Sequence, residues 1–344
     1  MTTPRILTSL GDGIVIMASG PMVQTAMKVT DHLRKLSIPV EFQVLKVTQF
    51  AYPESWVEIP GNIRGKTVFL FHSFTDDPDK DLMRLMIICD AIRRSRGKAI
   101  NLILPFLPYT RQDRVQAREP FSAKLVAMLL EVNPIIDQMI TIDLHAPQIA
   151  GFFNRIHVEN IPGHALFAPH IRQHYGHVKD QVTIVSTDVG GSKRARNLAE
   201  ITWEDLGVAI VDKRRDHSGS KALSLVGDVK KHVFLFDDIG DTAGSLVNAA
   251  ALVREHGAET VTAFISHALL SKKGSSAEQK LFDADIDLVA ADTFPRDEAY
   301  LKQHSRIKFL NSDAFMADLL FALMTINGSI KGVIKQWGYK PTFD

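Results

Sequence analysis

A single cysteine, Cys89, among 344 residues excludes an intramolecular disulfide and any zinc cluster built from cysteines. It falls with Leu82, Leu85, Met86 and Ile92 at helical spacing, so packing explains it. No apolar run approaches the roughly 20 residues of a membrane-spanning helix. The short apolar run Ile14–Ala18 follows Asp12 and does not read as a signal peptide. An excess of one charge is also lacking: a formal net charge of +1 gives no support for a nucleic-acid or membrane surface. Neither G-x-x-x-x-G-K-[ST] nor G-x-G-x-x-G occurs, so P-loop and dinucleotide-binding readings lose support. The expectation that survives is a cytoplasmic enzyme or binding protein without nucleic-acid or membrane partners.

Hydrophobic content of 45% and charged content of 23% suit a globular chain, and the length exceeds what one core usually serves, so two domains are expected. Strand-like runs alternate with amphipathic stretches, the pattern of an α/β chain with largely parallel sheets. Strands are predicted at Ile14–Ala18, Val40–Val47, Thr67–His72, Ala99–Phe106, Gln138–Asp143, Val182–Ser186, Gly207–Val211, Val233–Phe236, Thr260–Ser266, Asp287–Ala291 and Ile307–Asn311. Helices are predicted at Asp81–Arg96, Ser122–Glu131, Lys193–Ile201 and Ser245–His256, the last capped by Gly257. Asn154–Pro162 interrupts this rhythm and is the candidate interdomain link.

The segment VFLFDDIGDTAGSL (233–246) is the most informative in the chain. Its apolar run reads as a buried strand ending at Asp237, with a helix starting near Thr242 to Ser245. Gly240, Ala243 and Gly244 allow the backbone close to an anion, and helix-start amides would face it. Asp237 and Asp238 cannot bind that anion, but they suit sugar hydroxyls or a magnesium ion. A phosphorylated sugar satisfies both halves; the plain alternative is a strand–turn–helix with solvated acids.

Other polar clusters also follow strands, where parallel sheets bind ligands. Asp143 and His145 stand two apart at a strand end, which would put their side chains on one face for Mg²⁺; a buried, hydrogen-bonded histidine is the alternative. Asp188-Val189-Gly190-Gly191 offers a carboxylate for a metal or hydroxyl, while Lys193, Arg194 and Arg196 form either a site or a solvated helical face. Lys213-Arg214-Arg215 precedes a small-residue stretch, Asp216 to Lys221, expected to be mobile. Such cations suit phosphoryl transfer, or form an ordinary basic loop. Arg111-Gln112-Asp113-Arg114 pairs bidentate phosphate binders with a glutamine able to read a base or ribose, or is simply a charged loop.

Taken together, these segments resemble the ribose-phosphate pyrophosphokinases, or PRPP synthetases. The resemblance is carried by LPFLPYTRQDR (104–114), AREPFSAKLVAMLLE (117–131), TIDLHAPQIAGFF (141–153), VSTDVGGSKRARNLA (185–199), VDKRR (211–215) and VFLFDDIGDTAGSL (233–246). It implies two phosphoribosyltransferase type I-like domains, each a mainly parallel sheet flanked by helices, at 1–156 and 157–305, with 306–344 packing back on the first. It implies Mg²⁺-dependent transfer of the β,γ-diphosphoryl group of ATP to O1 of ribose 5-phosphate, giving PRPP and AMP. By position, Asp241, Thr242, Ala243, Gly244 and Ser245 would hold the 5-phosphate, and Asp237 and Asp238 would face the ribose hydroxyls and metal. His145 and Asp188, beside Asp143, correspond to metal-site residues. Arg111 and Gln112, with Asp113 and Arg114, would contact ATP. Lys213 and Arg215 would stabilise the transition state from a flexible catalytic loop. A homo-oligomer built from dimers, up to a hexamer, is also implied.

The sequence departs from that pattern in places. Where the family places F-x-D-G-E, reaching the adenine of a neighbouring subunit, this chain has Phe50, Tyr52, Pro53 and Glu54. Gly240 replaces a bulky aliphatic, which would loosen the loop, and Val115 stands where a basic residue often does. Two other readings follow: a non-catalytic regulatory subunit associated with PRPP synthetase, or a phosphoribosyltransferase that consumes PRPP.

Overall fold

The computed structural model describes residues 13–215, 221–272 and 274–338, with backbone alone at 213–215 and 221–222. Its contacts divide into two units. One runs to Ile161 and resumes over Ser312–Val333; the other holds Pro162–Asn311 and resumes at Ile334.

The first unit carries β1 (Ile14–Ala18), β2 (Val40–Val44), β3 (Lys46–Gln49), β4 (Ser55–Glu58), β5 (Thr67–Phe71), β6 (Ala99–Ile103), β7 (Ile136–Ile142) and β8 (His157–Ile161). Six of these form a parallel sheet in the order β2-β1-β5-β6-β7-β8, while β3 and β4 form an antiparallel hairpin of their own. β1 and β5 are buried along their whole length. That is why neither shows the polar–apolar alternation of a half-exposed strand. Helices α1 (Met22–Lys35), α2 (Pro78–Arg94) and α3 (Ser122–Glu131) supply the crossovers. Asp77 caps α2 by accepting from Lys80 N at 3.2 Å, and Pro78 occupies the first turn, where a missing N–H costs nothing.

The second unit carries β9 (Val182–Ser186), β10 (Gly207–Arg215), β11 (Lys221–Val226), β12 (His232–Gly240), β13 (Thr260–Ala268), β14 (Ile286–Ala291) and β15 (Ile307–Leu310). They form one sheet in the order β11-β10-β9-β12-β13-β14-β15, parallel except for the β10–β11 hairpin. Its helices are α4 (His164–Tyr175), α5 (Ser192–Thr202), α6 (Gly244–Glu255), α7 (Ala277–Asp283) and α8 (Glu298–Gln303). Gly257, at φ +100°, ends α6 as expected. Beneath the sheet, Phe234 and Phe264 meet edge-on at 5.2 Å, and Phe167 meets Phe236 at 5.7 Å. Such pairs add about 0.5–1.5 kcal/mol each beyond their buried area. Finally α9 (Asp313–Met324) returns to the first unit against α1, where Lys28 pairs with Asp313 at 3.2 Å.

Four expectations need correction. The run Val40–Val47 is two strands, β2 and β3, in different sheets. Asn154–Pro162 is not a linker: it contains β8, hydrogen-bonded along β7 as the edge of the first sheet, and the units change at its end. β12 does not stop at Asp237 but runs to Gly240, because Ile239 and Gly240 still pair with His267 and Ala268. Likewise β10 does not end at Val211; it continues through Arg215 by pairing with β11.

Candidate functional site

The second unit assembles its polar cluster where β9 and β12 run side by side. Ser186 lies opposite Phe236, so Thr187 and Asp237 follow as the next residues on adjacent parallel strands. Thr187 Oγ1 donates to Asp237 Oδ2, and the backbone N–H of Asp238 donates to Asp237 Oδ1 at 2.9 Å. Asp238 is 2% exposed and pairs with Arg194 Nη2 at 2.8 Å. Arg194 lies on α5 and is drawn into the site, while Lys193 and Arg196 of the same helix are exposed. Burial pushes the Asp237 carboxyl up to about 7, and the nearby charges of Asp238 and Asp188 add to this, while Thr187 acts in the opposite direction.

Asp188 sits in the turn between β9 and α5, its carboxylate accepting from Gly191 N at 2.8 Å. A Cβ at Gly191 would fall 2.6 Å from Ser186 Oγ, which donates to Asp188 O, so glycine lets that hydrogen bond stand. Beyond β12, Asp241 and Thr242 are half-buried, and Ala243, buried, takes the left-handed conformation at φ +60°. An alanine held there stores strain of a kind that clusters at ligand sites. Gly244 and Ser245 are exposed and open α6. Among the described residues α6 has neither a side-chain cap hydrogen bond nor an acid in its first turn, which leaves its positive end suited to an anion. Gly240 does not loosen this loop: a Cβ there would meet Ile265 Cγ2 at 3.1 Å, so Ile265 already fills the space.

In the first unit, the arginine segment and the D-L-H segment are tied together. Gln148 Nε2 donates to Asp113 Oδ2 at 3.4 Å, Lys124 Nζ to Phe152 O at 2.6 Å, and Ser122 Oγ to Gln112 Oε1. Arg111, Gln112 and Arg114 are exposed. Asp143 and His145 do not leave one strand face as expected. β7 ends at Ile142, and Asp143, buried, turns left-handed at φ +46°, its N–H donating to Ile161 O at 2.7 Å. Phe50, Tyr52 and Glu54 lie at the tip of the β3–β4 hairpin, closed by Phe50 N donating to Glu54 O at 3.1 Å. Phe50 is 57% and Tyr52 76% exposed.

The structure thus gathers Asp188, Asp237 and Asp238 in one unit, and Gln112, Asp113 and the D-L-H segment in the other. Lys213 and Arg215 are on β10 by backbone, but their side chains lie outside the described residues, as do Asp216 to Ser220. Among the described residues, no group of three or more histidine, cysteine or acidic side chains is arranged to hold a metal ion. The acids around Asp237 are nevertheless hard oxygen donors of the kind magnesium takes, and their mutual repulsion is what a divalent cation relieves. Sequence reading missed Thr187 and left Arg194 undecided. Neither has a local signal, since each acts on an acid more than forty positions away.

Fold and loop together define a class: a two-unit parallel α/β protein of the phosphoribosyltransferase-like kind. A model of the N-terminal domain of ribose phosphate pyrophosphokinase matches residues 14–133, and one of the phosphoribosyl synthetase-associated domain matches residues 217–325. The ribose-phosphate pyrophosphokinase of Hyphomonas neptunium is 41% identical over 260 residues, 75% of this chain and 81% of that one. That of Campylobacter jejuni is 39% identical over 312 residues, covering 90% and 95%. The crystal structure of phosphoribosylpyrophosphate synthetase from Mycobacterium smegmatis superimposes with a TM-score of 0.80 at 30% identity, covering 91% of this chain and 99% of that one. The chain belongs to the ribose-phosphate pyrophosphokinase family. Among the described residues no helix is long and apolar enough to cross a membrane.

Proposed function

We propose that this chain transfers the β,γ-diphosphoryl group of ATP to O1 of ribose 5-phosphate, releasing PRPP and AMP. One observation carries the reading: the acid pair Asp237–Asp238 near the end of β12 is followed by a strained small-residue loop and a helix start with no side-chain cap of its own. Acids accept from vicinal hydroxyls, while loop amides and the helix end receive a phosphate. In this unit Asp237 and Asp238 take the ribose hydroxyls, and Asp241, Thr242, Ala243, Gly244 and Ser245 hold the 5-phosphate. Lys213 and Arg215 neutralise charge developing on the transferred phosphorus. As O1 bonds to Pβ and loses its proton, the bond from Pβ to the oxygen bridging Pα breaks, and AMP leaves with that oxygen.

In the first unit, Arg111, Gln112, Asp113 and Arg114 bind the nucleotide. The hairpin tip, through Phe50, Tyr52 and Glu54, meets the base bound by a neighbouring subunit. His145 and Asp143 of this unit, and separately Asp188 of the second unit, are oxygen and nitrogen donors of the kind that could bind magnesium, which would offset the charge of the polyphosphate. We place the protein in the cytoplasm as a dimer-based homo-oligomer, up to a hexamer. The exposed apolar residues Leu125, Met128 and Val132 on or beside α3 support self-association.

The test is incubation of the purified protein with ATP, Mg²⁺ and ribose 5-phosphate, following AMP and PRPP. Equal release of both is expected. No AMP with ATP, or with any other nucleoside triphosphate, would overturn the reading.

A further inference from the structure

Thr187 is 1% exposed and stands where β9 hands over to its turn. Its hydroxyl and the N–H of Asp238 each donate to a different oxygen of Asp237. A carboxylate accepts about four hydrogen bonds, so one on each oxygen fixes the carboxyl plane while leaving capacity for a ligand's hydroxyls. The Asp238 bond comes from the adjacent residue and moves with the same strand. The Thr187 bond is the one that refers the carboxylate to a second strand. Two further acids, Asp238 and Asp188, press on Asp237 with like charge. Without a donor at 187, that repulsion favours side-chain rotation away from them.

We propose that Thr187 is a positioning residue for sugar recognition, its hydroxyl holding the Asp237 carboxylate in the plane that receives the ribose hydroxyls. This rests on the role given to Asp237 above. Valine has the same branching and nearly the same volume as threonine but donates no hydrogen bond, whereas serine keeps the donor.

Full-length wild type, Thr187→Val, Thr187→Ser and Asp237→Asn are compared by initial rates of AMP release, varying ribose 5-phosphate and then ATP, with Mg²⁺ saturating. Thr187→Val should raise KM for ribose 5-phosphate about tenfold or more, the scale of a lost hydrogen bond to a charged group. KM for ATP should stay within about twofold, because only sugar binding is touched. Thr187→Ser should restore KM for the sugar, and Asp237→Asn should raise it at least as much as Thr187→Val does. If Thr187→Val does not fold, Thr187→Ala carries the same comparison. A normal sugar KM in the valine variant beside a raised one in Asp237→Asn would overturn the role of Thr187 alone. Equal rises for both substrates, or a serine variant as impaired as valine, would reduce Thr187 to packing. An unchanged sugar KM in Asp237→Asn would overturn the reading of Asp237 itself, and the proposal with it.

Discussion

The two units repeat one strand plan and put different chemistry on it. In each sheet the unit's second strand lies beside its first, and the order then runs outward, β2-β1-β5-β6-β7-β8 in one and β10-β9-β12-β13-β14-β15 in the other. The strand beside the first carries the same four residues in both, Val68 to Phe71 and Val233 to Phe236. Next come His72 and Ser73 in one unit, Asp237 and Asp238 in the other. His72 is buried and neutral: burial lowers its pKa to about 4, and its Nε2 lies 3.2 Å from the carbonyl of Asp81, to which it donates. Asp81, in the first turn of α2, is itself taken up by Thr75 and Arg84. With Ser19, these groups line a cavity of about 310 Å³.

The helix starts differ in the same sense. α2 has its cap in Asp77 and acids at Asp79 and Asp81, so its positive end is answered by its own side chains. α6 brings none of these. One helix start is answered by its own side chains; the other is the one proposed above to receive the 5-phosphate.

The largest effect that would sharpen this contrast lies on β10. Lys213→Ala should lower turnover by about 10³ or more, the scale of removing a transition-state cation. Ribose 5-phosphate binding, measured by calorimetry without ATP, should barely change. Normal turnover would remove Lys213 from the chemistry. A smaller effect comes from giving α6 what α2 has. Ser245→Asp places an acid in its first turn and should weaken ribose 5-phosphate binding about tenfold or more, through repulsion and the answered dipole. Asp79→Ala in α2 should leave that binding unchanged. If both variants bind like wild type, the helix starts do not set the difference between the units.

The scaffold of this contrast was legible in the sequence, and its wiring was not. β1 and β9 have the predicted bounds, because strands buried on both faces carry mainly apolar side chains and no charged ones. Charged or polar strands escaped: β8 (HVENI) and the far half of β10 (DKRR) pair at sheet edges, where solvent accepts polar side chains. β12 ran three residues past its first acid, because Thr187 and Arg194 receive the two carboxylates that appeared to end it. The acid pair and its loop stood out because acids beside small residues at a strand end are uncommon. Thr187 did not, since a threonine at a strand end is ordinary until its partner is known. Asp143 misled for a related reason: spacing by two fixes a face only while the chain stays extended.

The smallest effect is a difference of sign between the two strand ends. Asp237 in the folded chain holds its proton up to about 7, well above an unfolded aspartate at 3.8. The folded state therefore binds the extra proton between those values, and stability falls as pH rises through them. Asp237→Asn removes this burden. It should stabilise the ligand-free protein by about 1–3 kcal/mol at pH 8, and the gain should fade as pH falls towards 4. His72 runs the other way, because its depressed pKa means that the unfolded chain binds the proton first. Its contribution is intact above 6.5 and lost as pH falls towards 4. His164 and His170, lowered to about 4 by burial, give the second unit that acid sensitivity as well. The alkaline burden belongs to Asp237. Thermal unfolding of wild type and Asp237→Asn at pH 8 and pH 4.5 separates the two. A gain of equal size at both would mean that burial and the neighbouring acids do not hold this carboxyl above its ordinary range, and the second strand end would carry no more burden than the first.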